Sequence, residues 1–230
     1  MRKRFLFVSA LLFCLSVSGN TTESARAAQN VCDHPFYPVR EGLKHTFRTT
    51  YGSKNASYLS EIVVHVLGQN HFSNQTSSPD YRKTIYLTCE GGGIVSRRSG
   101  LTTQMFENGK MVTNTSISSS GWNILAPAKK LHVGGTWKFD QIFEYTVEGK
   151  TYRARGGSVS RVVSVERLRV PAGTFRALKI TTTFETTSLS ATPPNDKTSR
   201  GTQTDWYVRD IGLVKSQIPN VNTMELVAVQ

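Results

Sequence analysis

The stretch Tyr81-Arg82-Lys83-Thr84-Ile85-Tyr86-Leu87-Thr88-Cys89 decides the fold class. Tyr81, Lys83, Ile85, Leu87 and Cys89 alternate with Arg82, Thr84, Tyr86 and Thr88, the period-two pattern of a strand with two unlike faces. The pattern continues on both sides with almost no helical periodicity. Tyr58 to Leu67 is a β-branched run of strand length. Leu101 to Glu107 and Lys110 to Ser118 flank Asn108-Gly109, the dipeptide favoured in a two-residue type I′ hairpin. Gln141 to Val147 and Thr151 to Arg155 flank Glu148-Gly149-Lys150, a second hairpin. Val159 to Val170 and Arg176 to Thr187 flank a third turn, and Thr202 to Val208, Gly212 to Ile218 and Met224 to Val229 complete the set. These amount to roughly eleven or twelve strands at spacings suited to an antiparallel meander.

The expected fold is therefore all-β. A meander of this size leaves edges exposed unless it closes, so a single sheet curled into a barrel or half-barrel is expected, with a two-sheet sandwich as the alternative. Gly68 to Asp80 and Leu189 to Gly201 are polar and read as long loops. Gly91-Gly92-Gly93 lacks the Lys of a phosphate loop and reads as a turn or bulge. Composition agrees: Ser and Thr together make 49 of 230 residues, hydrophobic content is 38% and charged content 19%. Thr-rich, Ala-poor sequence suits strands better than helices.

The N-terminus carries an export signal. Arg2, Lys3 and Arg4 precede the apolar run Phe5 to Val17, and Ala25-Arg26-Ala27 fits a small-residue cleavage site before Ala28. A cut after Val17-Ser18-Gly19 is the alternative. A run of 13 residues, interrupted only by Ser9 and Ser16, falls short of the roughly 20 needed to span a bilayer. The division expected is a cleaved signal over 1–27 and one β domain over 28–230, secreted or periplasmic and not integral to the membrane. A lipid anchor is disfavoured, because Phe13 precedes Cys14 and Gln29-Asn30-Val31 precedes Cys32.

Removal of the signal takes Cys14 and leaves Cys32 and Cys89, an even pair in an oxidising compartment, which reads as one disulfide. Two separate buried thiols are the alternative. No His or Cys stands at metal-ligand spacing from either. The remaining chain carries about nine net positive charges. Its bases are scattered in pairs, Arg97-Arg98, Lys129-Lys130 and Arg153/Arg155, so a solvated basic surface is the plain reading, and an anionic envelope polymer the partner it would fit. No nucleic-acid motif is present.

No G-x-S-x-G, H-E-x-x-H or phosphate-loop pattern occurs. His34, His45, His65, His71 and His132 are dispersed, carboxylates are scarce, and no pair shares a strand face. No catalytic residue, metal ligand or cofactor is expected on this pattern. Trp122, Trp137, Trp206, Tyr145, Phe143 and Phe184 either fill the core or line an apolar cavity.

Four stretches resemble a group of bacterial exported or periplasmic β-sheet proteins of unknown function. They are Tyr37-Pro38-Val39-Arg40-Glu41-Gly42, Gly134-Gly135-Thr136-Trp137, Val170-Pro171-Ala172-Gly173-Thr174-Phe175 running on to Ala177-Leu178-Lys179-Ile180, and Trp206-Tyr207 with Ile211-Gly212-Leu213-Val214-Lys215. In the third, Pro pre-sets φ at the second turn position and Gly closes the turn, a hairpin signal in its own right. In the fourth, Val208-Arg209-Asp210 replaces the group's Ala-Pro-Gly. The resemblance implies a curved antiparallel envelope protein and no activity.

Three functions follow as expectations. The first is a non-catalytic exported protein holding an apolar molecule in the concave face, near Trp137, Tyr145 and Phe184, or an anionic polymer or protein partner on a basic face of Arg97, Arg98, Arg153 and Arg155. The second is a secreted hydrolase assembled around His45 or His132, which needs one of them beside a carboxylate in a cleft. The third is a structural envelope component.

Overall fold

In a computed structural model, the described residues hold thirteen strands in one antiparallel sheet. The structure describes residues 32–52, 56–79, 82–96, 101–107, 110–121, 124–147, 150–189 and 198–230. The signal and its cleavage site, the Asn108-Gly109 turn, Arg97, Arg98 and Trp122 lie outside the described residues, as do the side chains of Phe143 and Tyr145.

In chain order the strands are β1 (Lys44–Tyr51), β2 (Ser57–Val66), β3 (His71–Ser77), β4 (Arg82–Glu90), β5 (Gly93–Val95), β6 (Leu101–Glu107), β7 (Lys110–Gly121), β8 (Thr136–Val147), β9 (Lys150–Val170), β10 (Gly173–Leu189), β11 (Thr198–Val208), β12 (Gly212–Ile218) and β13 (Asn222–Val229). Their order across the sheet is β5-β4-β3-β2-β1-β13-β12-β11-β10-β9-β8-β7-β6. Two meanders thus meet at the centre, where β1 pairs with β13 over His45 to Tyr51.

The all-β antiparallel meander is as expected; its closure is not. Among the described residues, β5 and β6 end the sheet without pairing to each other, so the sheet is not closed into a barrel, and one sheet holds all the described strands, not the two of a sandwich. The β5 edge is handled another way. The strand is only three residues long, and Ile94 exchanges backbone hydrogen bonds with Leu125 (2.8 and 3.3 Å), which covers the edge with the 124–131 segment.

Two further expectations are corrected. The Gly68–Asp80 loop contains β3, whose inward Phe72 is fully buried while its backbone pairs with both β2 and β4. Thr151 to Arg155 and Val159 to Val170 are one strand, continuous through Gly156-Gly157. Gly91 and Gly92 take φ of 55° and 77° between β4 and β5, the two left-handed central residues of a type I′ turn. In Gly201 the missing Cβ is what admits the Phe184 ring, which lies against it across the β10–β11 pair.

The main core lies between one face of the sheet and two covering segments. Val39 and Leu43 from 32–43, with Leu125, Ala126 and Leu131 from 125–131, bury Val64, Phe72, Leu87, Trp137, Val162 and Ile180. A second cluster joins Phe47, Ala177, Trp206, Val208, Val214 and Leu226. Cys32 and Cys89 are joined as a disulfide with Cα atoms 5.8 Å apart, fastening the start of the covering segment to β4. His34 Nε2 lies 3.0 Å from the Ala126 carbonyl and ties the two segments together.

β9 carries a bulge that matters below. Lys179 faces Ser164 while Ile180 faces Val162, so Val163 is the extra residue. Beyond it the odd positions change sides: Arg153, Arg155 and Arg161 lie on one side of the sheet, and Val165, Arg167 and Arg169 on the other.

Candidate functional site

A cavity of about 220 Å³ lies where the 32–43 segment crosses the centre of the sheet. Tyr37 and Pro38 come from that segment, His45 and Phe47 from β1, and Val64 and Asn74 from β2 and β3. Ile124, Tyr207 and the Ile211-Gly212-Leu213 turn close the opposite side. The alternation of β1 explains the inner wall: His45, Phe47 and Thr49 are buried, while Arg48 and Thr50 are exposed. Two of the four stretches behind the family resemblance, the first and the fourth, therefore converge here from parts of the chain about 170 residues apart.

Among the described residues, the wall carries no Asp, Glu, Lys or Arg. His45 Nε2–H donates to the Ile211 carbonyl (2.8 Å), which fixes the proton on that nitrogen because a carbonyl can only accept. Burial pushes the His45 pKa below its usual value, against the opposing pull of that hydrogen bond, and nearby Arg40 lowers it further. The imidazole is thus held neutral. Asn74 Nδ2 donates to the Tyr37 hydroxyl (2.7 Å), and burial drives the Tyr37 pKa up to about 12. Burial likewise raises Tyr207, with further contributions from Asp205 and Tyr37. Asn74 Oδ1 is buried without a hydrogen-bond partner among the described residues. The described residues thus form an uncharged, mostly apolar chamber with a few polar atoms.

Beside it sits Asp205 on β11, at 9% exposure. Gln203 Nε2 lies 2.9 and 3.0 Å from its two carboxyl oxygens and 3.2 Å from Ser216 Oγ. No cation pairs with it among the described residues, and burial raises its pKa against the two hydrogen bonds that oppose the shift. The sequence offered no hint of this, since Asp205 reads as one polar residue in an alternating strand.

The hydrolase expectation lacks the contact it needs. His45 meets a backbone carbonyl, and His132 is exposed with Nδ1 3.2 Å from the Val133 carbonyl. The histidine–carboxylate contact among the described residues is His65 with Glu41 (3.2 Å), on the exposed surface. No group of three or more His, Cys, Asp or Glu there could hold a metal ion.

The aromatic candidates are scattered. Trp137 is core, and Phe184 covers Gly201 at a separate, open groove of about 810 Å³ that is lined by charged residues. Trp206 lies on neither: its Nε1–H donates to Glu166 (2.7 Å), and the Lys179 and Lys215 ammoniums stand 5.4 and 5.6 Å from its ring. Arg153 and Arg155 share an exposed side of β9.

The DUF3108-like family profile matches residues 52–224. Among curated proteins none matches the chain. Three solved structures are similar at low identity. A proposed lipoprotein from Parabacteroides distasonis ATCC 8503 is 16% identical, with 86% of this chain and 99% of that chain covered and a TM-score of 0.49. A proposed exported protein with a YmcC-like fold from Bacteroides fragilis NCTC 9343 is 15% identical over 86% and 99%, TM-score 0.47. The hypothetical lipoprotein YmcC from Escherichia coli K12 is 14% identical over 89% and 90%, TM-score 0.40.

Proposed function

We propose, from the premise that this chain belongs to the DUF3108-like family, that it is an exported, non-catalytic β-protein that holds an uncharged apolar molecule in the cavity beneath its 32–43 segment. One observation carries this reading: among the described residues the cavity wall is apolar, contains no ionised side chain, and keeps its histidine and both tyrosines neutral. Such a wall gains free energy by taking apolar surface out of water, at about 25 cal/mol per Å², and has no ion to pair with a charged occupant. The volume falls below the usual range of roughly 300–1,000 Å³ for ligand pockets, so the occupant is a small molecule or one segment of a longer chain. Export is supported by the basic and apolar N-terminal sequence and by the disulfide, which suits an oxidising compartment.

The test is binding of a neutral fluorophore, 1-aminonaphthalene, to the solvent-extracted mature chain. Ile124 and Leu213 line the cavity and are only partly buried, so Ile124→Trp or Leu213→Trp fills it without rebuilding the core. Either substitution should weaken binding at least about tenfold, or 1.4 kcal/mol. Binding unchanged in both folded variants would place the probe elsewhere and overturn the reading.

A further inference from the structure

On the same side of β9 as Val165, beyond the bulge, four exposed arginines gather: Arg167 and Arg169 on β9, Arg176 on β10, and Arg209 in the turn between β11 and β12. None is ion-paired among the described residues. Glu166 is turned to the opposite side of β9, where it accepts from Trp206 and meets Lys179 (3.6 Å). Asp210 follows Arg209 but forms no ion pair with it; its backbone N–H donates to the Pro35 carbonyl (2.8 Å), anchoring the turn. Arg167 and Arg176 stand directly opposite each other across the strand pair. Like charges in that position are destabilising, so the arrangement costs the free protein stability that an anion would restore.

Between the arginines lies an apolar hollow of about 270 Å³. Phe36, Val165 and Leu178 line it together with Arg176 and Arg209. Val165 is 42% exposed, and the Arg209 guanidinium rests 5.4 Å from the Phe36 ring centroid, which orients its fork. Guanidinium groups recognise phosphate oxygens in a bidentate manner. A bare phosphate or polyphosphate has no use for the exposed valine and the aromatic floor, whereas a headgroup with acyl chain beneath it uses both.

We propose that this face docks on anionic phospholipid, with the arginines on the headgroup phosphates and Val165 and Phe36 against the glycerol and acyl region. The site is separate from the cavity under the 32–43 segment, and its test does not depend on that cavity. Oxidised mature chain is co-sedimented with phosphatidylcholine vesicles and with vesicles containing roughly one-third phosphatidylglycerol, in low and high salt.

Binding should require phosphatidylglycerol and fall with salt. Arg167→Gln/Arg176→Gln should weaken it about 30-fold, on the scale of about one fivefold step per arginine at a membrane surface. Arg153→Gln/Arg155→Gln removes the same charge from the other side of the sheet and should change it less than about threefold. Val165→Ser should weaken vesicle binding while leaving soluble polyphosphate binding unchanged. These side chains are exposed, so no variant should melt below wild type, and Arg167→Gln/Arg176→Gln, which removes the opposed charges, should melt slightly above it. No preference for phosphatidylglycerol, equal losses from both arginine pairs, or vesicle binding indifferent to Val165→Ser would each overturn the proposal; the last would point to a polyanion.

Discussion

Reducing the Cys32–Cys89 disulfide tests how the covering segment is held. The bond closes a 57-residue loop that contains β1, β2 and β3. In the chain-entropy treatment a loop of that length removes about 14 cal/mol/K from the unfolded ensemble, worth about 4 kcal/mol at 25 °C. The folded segment has other ties. Gly42 N–H donates to the Val64 carbonyl (3.0 Å), Asp210 N–H to the Pro35 carbonyl (2.8 Å), and Asn74 to Tyr37 (2.7 Å). Reduction should therefore leave the native fold in place and act chiefly on the unfolded chain.

Urea denaturation with and without dithiothreitol measures this. The reduced protein should lose up to about 4 kcal/mol, with a steeper denaturant dependence, because the freed unfolded chain exposes more surface. The Cys32→Ala/Cys89→Ala variant should behave alike, apart from the small loss of thiol packing at Cys32. A midpoint unmoved by reduction, with native signals intact, would refute the argument and show that these cysteines are not cross-linked in solution.

Three other substitutions probe the sheet. Asp205 has its folded pKa raised above the ordinary 3.8, so the folded state holds its proton more tightly than the unfolded one. Its contribution is favourable at low pH and is lost as pH rises from 3.8 through the folded value, by up to about 1.4 kcal/mol per pH unit. Asp205→Asn should abolish that slope, so its stability relative to wild type should increase between pH 4 and pH 8 in urea melts; a constant difference would contradict the assignment. Gly201→Ala forces a methyl into the Phe184 ring and should cost about 1–3 kcal/mol. Most of that should be recovered against a Phe184→Ala background in a double-mutant cycle, and additive losses would deny the contact. Trp206→Phe keeps an aromatic ring but loses the indole N–H that donates to Glu166, and should cost about 1–2 kcal/mol by chemical denaturation; Glu166→Gln should shrink that difference.

The strand pattern was legible wherever apolar residues alternate over several turns of the pleat. Val170-Pro171-Ala172-Gly173 is the turn its residues imply, with Val170 facing Gly173. β3 escaped because His71-Phe72-Ser73-Asn74-Gln75-Thr76-Ser77 has a single large apolar residue; neighbouring strands on both sides supply its stability through the backbone ladder. β1 escaped for a related reason, with only Phe47 and Tyr51 standing out among His, Thr and Arg. Closure was overestimated, since a three-residue edge strand and a covering segment blunt an edge without pairing it to the other end. The cavity could not be read at all. Tyr37 and Tyr207 are motif residues in the sequence, but only register across β1, β13, β12 and β11 sets them on one chamber. The arginine cluster was hidden by the bulge at Val163, which regroups residues that simple alternation assigns to a single face.

The central claim is that the chamber under the 32–43 segment is occupied by an uncharged apolar molecule. Native mass spectrometry of the chain purified from an oxidising compartment, repeated after solvent extraction, tests it most directly. The account predicts a co-purifying neutral mass that is lost on extraction and is missing from Ile124→Trp. A bare wild-type mass, together with an extracted protein that takes up no neutral apolar probe, would contradict it.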